Sequence, residues 1–118
     1  MILNLTQHPA TDEQVAEGVT EPADKAGIKK LLTFDDLPSK AEIERRAEAL
    51  ALVAADSGAE WALIGGAPFF MSALERALKN VGVSPVYAFS RREVVETVAE
   101  NGAVVKTAVF RHAGFIPA

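Results

Sequence analysis

The chain has 118 residues and no cysteine, so it suits a single domain over residues 1–118 and contains neither disulfides nor thiolate zinc sites. Hydrophobic residues make up 49% of it, which disfavours disorder, and no apolar run approaches the roughly 18 residues of a membrane span. The first five residues lack the basic start and long apolar stretch of a signal peptide. We therefore expect a soluble, cytoplasmic protein that does not contact membranes.

The formal net charge of −4 argues against a non-specific coat of duplex nucleic acid. Residues 1–60 carry six basic and twelve acidic side chains, whereas residues 61–118 carry six basic and four acidic ones. An anionic ligand should therefore meet the second half, although the composition also fits an ordinary solvated surface.

The first quarter of the chain predicts one strand and one short helix. Residues 2–6 form an apolar run typical of a short buried strand. Thr11 and Gln14 have the spacing of a capping box, so a helix should follow and end near Gly18. The next segment, residues 19–27, has the composition of a loop.

A long helix is predicted in the middle of the chain. Residues 28–34 come first and are interpreted as a strand. Ser39 and Glu42 then form a second capping box, and apolar residues recur at helical spacing as far as Ser57. Gly58 suits the C-terminal end of that helix.

The second half contains two buried strands separated by a helix. Residues 61–64 are apolar without polar alternation, which predicts a strand buried on both faces of a parallel sheet. A Gly-Gly turn follows, Pro68 fits the first position of the next helix, and Gly82 ends that helix. Residues 86–89 predict a further buried strand.

The C-terminal segment predicts a β-hairpin. Residues 93–100 and 103–111 are two β-prone runs, and Asn101-Gly102 joins them. This dipeptide favours a two-residue turn with positive φ at both positions. The order of elements predicts an α/β fold with a mostly parallel sheet flanked by helices and a C-terminal hairpin.

Three polar segments should meet at one edge of this sheet, because right-handed crossovers bring the carboxyl ends of parallel strands together. They are residues 6–8, 65–68 and 90–93. The glycines allow a ligand to approach the backbone, and a helix N-terminus attracts phosphate. The sequence therefore predicts an anion-binding cleft between the three segments.

Each of these residues also has a plainer interpretation. The Gly65-Gly66 turn matches no complete phosphate-loop or dinucleotide motif. His8 also suits a helix cap or a solvent-exposed position, and His112 also suits packing at an edge. Arg91 and Arg92 also fit a solvated pair, and only one of them should face the cleft because neighbours on a strand alternate sides.

Segments at both ends resemble a known family. Residues 85–96, 100–102 and 106–112 are similar to the C-terminal half of a family of small CRISPR-associated proteins related to CARF domains. The opening Leu5-Thr6-Gln7-His8, with Thr11 and Gln14, is similar to the start of its members. The chain departs from the family in the inserted Pro9-Ala10 and in residues 113–116, where the family has further arginines. Closer look-alikes, which share the Thr-Gln-His-Pro-Ala-Thr opening, are uncharacterised bacterial proteins.

The resemblance implies a Rossmann-like (CARF-like) fold and ring nuclease activity in antiviral defence, the cleavage of cyclic oligoadenylate messengers. A homodimer would place two clefts around the symmetric ring. No metal or other cofactor is expected, because a ribose 2′-hydroxyl can attack the adjacent phosphorus when the protein holds it in line. The candidate catalytic residues are His8, Arg91 and Arg92. The candidate ligand-binding residues are Thr6, Gln7, Gly65, Gly66, Ala67, Ser90, Glu93 and His112.

Three other functions remain open on the same residues. The first is a non-catalytic sensor that uses the same cleft. The second is an enzyme or binding protein for an ordinary nucleotide, a sugar phosphate or another phosphate-bearing small ligand. The third is a dimeric interaction protein that pairs through its hairpin and leaves the cleft inert.

Overall fold

A computed structural model describes all 118 residues as a mixed α/β fold, a five-stranded and mostly parallel sheet flanked by helices. No helix reaches the length and hydrophobicity that crossing a bilayer would require. In chain order the elements are β1 (Ile2–Leu5), α1 (Asp12–Ala16), β2 (Val19–Thr20), α2 (Lys25–Leu32), α3 (Lys40–Asp56), β3 (Trp61–Ile64), α4 (Pro68–Asn80), β4 (Ser84–Val98) and β5 (Val104–Pro117).

The strands lie side by side in the order β2-β1-β3-β4-β5. The first three pairings are parallel, and only β4 and β5 run antiparallel. The carboxyl ends of β1 and β3 therefore share one edge, as the buried apolar runs predicted. At that edge β4 does not stop: its last partner on β3 is Leu63, opposite Val86, and it continues for twelve more residues paired with β5 alone.

The two faces of the sheet are covered unequally. On the helix face, alternate residues such as Leu5 and Ile64 join side chains from α2, α3 and α4 in a core of 18 buried residues. On the opposite face, which we call the open face, only Val19, Leu63 and Val86 are buried together. Part of the open face has no helix over it. That region is a shallow apolar depression lined by Ile2, Trp61, Val86, Phe115 and Pro117.

Helix boundaries follow the capping residues. Thr11 and Gln14 form both hydrogen bonds of the predicted capping box. Ser39 caps α3 as predicted, but the box itself is wrong there, because the Glu42 carboxylate turns to Arg45 and Arg46 instead. The helix ends at Gly58 and Gly82 are confirmed, and both glycines have positive φ.

The prediction for residues 19–34 is wrong in two respects. The segment interpreted as a loop contains the two-residue strand β2, and the predicted strand 28–34 lies largely within helix α2. Asp24 caps α2 by accepting a hydrogen bond from the Gly27 N–H. Ile28 and Leu32 are both buried, and their spacing of four residues places them on one side of a helix.

The predicted connection between the last two strands is also wrong in detail. Gly102 has φ +82°, but no residue other than glycine has positive φ, so Asn101 does not adopt the predicted conformation. The Ala99 N–H donates to the Ala103 carbonyl, and the Gly102 N–H donates to the Ala99 carbonyl. Three residues, 100–102, therefore form the turn, with glycine supplying the left-handed position.

Candidate functional site

A cleft of about 430 Å³ opens at the shared carboxyl edge of β1 and β3. Its lining side chains include no lysine, arginine, aspartate or glutamate. The polar groups are hydroxyls, amides and one imidazole. Twelve residues line it: Thr6, Gln7, His8, Pro9, Thr11, Gln14, Leu63, Ile64, Gly65, Gly66, Tyr87 and Ala88. The structure thus brings together two of the three predicted segments, residues 6–8 and part of 65–68.

Asn4, which is fully buried at the end of β1, shapes the first of these segments. Its amide donates 2.9 Å to the His8 carbonyl oxygen and 2.8 Å to Oε1 of Glu21. Its Oδ1 accepts hydrogen bonds from both the N–H and the hydroxyl of Thr6. The Asn4 side chain therefore holds the loop after β1 in place, since its nitrogen and its oxygen each form two hydrogen bonds.

Lys25 and Glu21 complete this polar network. The Lys25 ammonium donates to the carbonyl oxygens of Thr6 (2.8 Å) and His8 (3.1 Å) and lies 3.1 Å from Oε2 of Glu21. Glu21 also accepts from the Ala10 N–H. Burial acts to raise the pKa of Glu21, but hydrogen bonds from Asn4, Ala10 and Lys25, with the Lys25 charge, outweigh it and hold that pKa below its ordinary value of 4.5. The carboxylate therefore stays ionised and the loop stays tied down.

His8, which this fixed backbone carries, lines the cleft and is exposed to solvent. Its carbonyl oxygen accepts hydrogen bonds from the Asn4 amide and the Lys25 ammonium, but its ring nitrogens have no hydrogen-bond partner. The neighbouring polar side chains bond elsewhere: Thr11 and Gln14 each accept from the other's backbone N–H, and the Gln7 amide donates to Thr33. His8 is not a helix cap, because Thr11 fills that position. Its imidazole is free to meet a ligand.

The second segment contributes backbone rather than side chains. Gly65 and Gly66 line the cleft, and Gly66 has φ +148°, a conformation that favours glycine. Ala67 is the N-cap residue of α4 and provides no side-chain hydrogen bond, and Pro68 occupies the first turn as predicted. Ala67 does not line the cleft.

Tyr87 and Ala88 line the cleft but were treated in the sequence only as part of a buried strand. The Tyr87 hydroxyl donates to Oε2 of Glu75 at 3.2 Å. Burial, and then the nearby Glu75 carboxylate, raises the pKa of Tyr87, so the phenol stays protonated. No motif marks this tyrosine. It reaches the cleft because β4 continues where β3 ends.

The third predicted segment lies beyond the cleft, on the ribbon formed by β4 and β5. Ser90, Arg91, Arg92 and Glu93 do not line the cavity. Glu93 pairs with Arg111 at 2.8 Å, whereas Arg91 and Arg92 are exposed and form no ion pair. The two arginines lie on opposite sides of the strand, with Arg92 on the same face as the cleft residue Ala88. The predicted convergence of three segments in one cavity is therefore incomplete.

His112, a predicted ligand-binding residue, is packed inside the protein instead. Its side chain is only 4% exposed, and its ring centre lies 4.8 Å from that of Phe115. Its Nε2 is 3.1 Å from Oε1 of Glu17 without the alignment of a hydrogen bond, and its Nδ1 has no partner. His112 is absent from the cleft lining and links β5 to the end of α1.

Comparison with known proteins identifies the family of this chain. Neither the curated proteins nor the solved structures include a match. One protein family does match, the Uncharacterized protein MJ1673 family, and the match covers residues 1–116. Since the match spans all but the last two residues, the chain belongs to the MJ1673 family.

Proposed function

We propose that this protein binds a cyclic oligoadenylate at the His8 cleft and cleaves it, acting as a metal-independent ring nuclease in the cytoplasm during type III CRISPR signalling. The proposal includes a Rossmann-like, CARF-like identity for the fold, with β4 and β5 as its C-terminal hairpin. The observation that carries it is the His8 imidazole, which has no hydrogen-bond partner and belongs to a cleft-lining residue whose backbone is held by Asn4 and Lys25.

The size of the cleft fits one nucleotide unit rather than a whole ring. Its volume of about 430 Å³ lies near the lower end of the range of small-molecule sites, roughly 300–1,000 Å³. The neutral hydroxyl and amide lining suits a ribose and a base, which carry no charge. A phosphate at the rim would meet Arg91 or Arg92, cations without an ion pair that lie on opposite sides of the neighbouring strand. A ring with an even number of units would then occupy two clefts, one from each subunit of a homodimer.

The chemistry balances without a cofactor. A ribose 2′-oxygen forms a bond to the adjacent phosphorus, and the bond from that phosphorus to the 5′-oxygen breaks. The products carry a 2′,3′-cyclic phosphate and a 5′-hydroxyl. The 2′-hydroxyl loses a proton and the 5′-oxygen gains one. His8 would carry one of these protons, while the fixed loop holds the in-line geometry and the arginines offset the phosphorane charge.

Incubation with cyclic tri-, tetra- and hexa-adenylate in EDTA, followed by chromatography, tests the activity. Linear products should appear with the unmodified protein. His8→Ala should slow cleavage about 100-fold or more while binding changes much less, since an acid–base residue acts in the transition state. Lys79→Ala, an exposed change at the far end of α4, is the matched control. Absence of both binding and cleavage for all three rings would refute the proposal.

Binding without cleavage is the second candidate function. Only His8 and Tyr87 among the cleft-lining residues are titratable, and the Tyr87 hydroxyl is already bonded to Glu75. The cleft therefore holds one free acid–base group rather than a pair. Tight binding of a ring with no product after prolonged incubation would identify a sensor instead of a nuclease.

A further inference from the structure

The ribbon formed by β4 and β5 extends past the rest of the sheet. We call residues 90–98 and 104–112, with their turn, the arm. The longest dimension of the molecule is 58 Å, against 33 and 24 Å for the other two. Within the arm each strand has only the other as a neighbour. An isolated two-stranded ribbon is marginally stable in water, so a face of this arm should be covered by something.

The register divides the arm into two faces. Pairing runs without interruption from Ser90–His112 to Val98–Val104, so opposite residues share a face and alternate residues do not. One face, which continues the open face of the sheet, consists of five rows. The row at the base is Ser90–His112, where the His112 ring packs against Phe115. The other four rows form what we call the four-row face, and from base to tip they are Arg92–Phe110, Val94–Ala108, Glu96–Lys106 and Val98–Val104.

This face holds most of the apolar surface of the arm. Val94, Val98, Val104 and Phe110 are between 59 and 75% exposed. The other face instead keeps Glu93, Val95 and Val109 half-buried and carries one large exposed apolar residue, Val105. Four exposed apolar side chains on one side of a ribbon are typical of an interaction surface.

We propose that the four-row face packs against the same face of a second copy, with the two arms parallel and a two-fold axis along them. Such a rotation places β4 of one subunit over β5 of its partner. Glu96 then faces Lys106 of the partner subunit, and Lys106 faces the partner's Glu96. Val98 meets the partner's Val104. The face is therefore self-complementary in both charge and apolar character, as a two-fold interface requires.

Charge complementarity selects this arrangement over the alternative. If the arms were antiparallel with the four rows centred on each other, Glu96 would lie over the partner's Val94, and Lys106 over the partner's Ala108. Shifting that arrangement by one row would place Glu96 over the partner's Arg92 but leave Lys106 over the partner's Phe110. Only the parallel arrangement therefore gives both charges an opposite charge from the partner. The Glu96–Lys106 pair, 3.5 Å apart within one chain, becomes part of a four-charge cluster.

This interface does not depend on the proposed function, because it needs no ligand. It adds to that function by bringing the bases of both arms, and with them both clefts, to the same end of the dimer. Oligomeric state is therefore measured without nucleotide, and cleavage is measured separately. A monomeric protein would refute the interface but not the nuclease activity, and an inactive dimer would refute the activity but not the interface.

Two adjacent valines provide a matched test. Val104 lies on the proposed interface, and its neighbour Val105, also exposed, lies on the opposite face. Sedimentation equilibrium should give the unmodified protein twice the chain mass of 12.5 kDa. Val104→Asp should raise the dimer Kd about tenfold or more, and Val105→Asp should change it much less. A monomeric wild type, or a dimer lost only in Val105→Asp, overturns the proposal.

A charge exchange tests the register. Glu96→Lys alone and Lys106→Glu alone each place like charges opposite each other, so each variant should dissociate. Mixing the two variants should restore a heterodimer, because the two positive side chains of the Glu96→Lys chain then face the two negative side chains of the Lys106→Glu chain. Circular dichroism checks that both variants are folded. Two stable homodimers, or no pairing in the mixture of folded variants, would overturn the parallel register.

Discussion

The side-chain amide of Asn4 donates a 2.9 Å hydrogen bond to the carbonyl oxygen of His8, so a fully buried strand residue fixes the loop that carries an exposed histidine. The same amide also reaches Glu21, whose carboxylate holds Lys25 beneath the loop. The geometry of the cleft therefore depends on a residue that no ligand would touch.

Asn4→Ala should destabilise the fold by about 2–4 kcal/mol. The change removes four hydrogen bonds and leaves polar partners such as the Thr6 N–H unsatisfied in a partly buried site. Urea denaturation measures the loss. Asn80→Ala, at the exposed end of α4, is the control and should change stability by less than about 0.5 kcal/mol. Equal effects of the two substitutions would contradict the structural role of Asn4.

Gly66→Ala and Gly65→Ala should differ although the residues are neighbours. Gly66 has φ +148°, so a side chain there is strained, and a loss of about 1–3 kcal/mol is expected. At Gly65 a new Cβ would meet only the Thr6 methyl group at 3.8 Å, which is an ordinary contact. Thermal unfolding of both variants measures the difference. A better tolerated Gly66→Ala would show that the turn has another conformation.

Replacing Arg91 and Arg92 together by alanine should weaken binding of a phosphate-bearing ligand. The expected loss is about 1.5–3 kcal/mol for each charge-assisted contact removed. Calorimetry with a cyclic oligoadenylate measures it, and Arg76→Ala, an exposed arginine bonded to Ser72 on α4, is the matched control. Unchanged affinity in a folded double variant would remove both arginines from the proposed site.

Lowering the pH should destabilise the start of α3, because the Glu42 carboxylate becomes protonated. Hydrogen bonds from Arg45 and Arg46 lower the pKa of Glu42 from 4.5 to about 2. A lowered pKa stabilises the fold above about pH 4.5, and this contribution is lost as the pH falls towards 2. Glu42→Gln should therefore lower the urea midpoint at pH 7 and reduce its fall between pH 5 and 2. Glu44→Gln, at an exposed neighbour, should leave the pH profile unchanged.

Local patterns determined most of the sheet and three of the four helices. The apolar runs at residues 2–6 and 61–64, the capping residues Thr11 and Ser39, and Pro68 act within a few residues of their own position. Their effect could therefore be predicted without knowing the rest of the chain. Residues 28–34 were misassigned because a short apolar run suits a buried strand and a helix equally. The cap at Asp24 and the contacts of Ile28 with the core favour the helix.

The position of the cleft at the carboxyl edge of the sheet followed from the order of the elements, and His8, Gly65 and Gly66 do line it. The wall of the cleft formed by β4 depends on how far β4 extends beyond β3, and no local motif encodes that length. Because β4 continues beyond β3, Tyr87 faces the cleft and Arg91 and Arg92 lie farther out on the arm. His112 became a packing residue because the tertiary fold brings Phe115 and Glu17 against its ring. Sequence thus determined which polar segments end the strands, and tertiary structure alone decided which of them share one cavity, since that depends on pairing between residues distant in the chain.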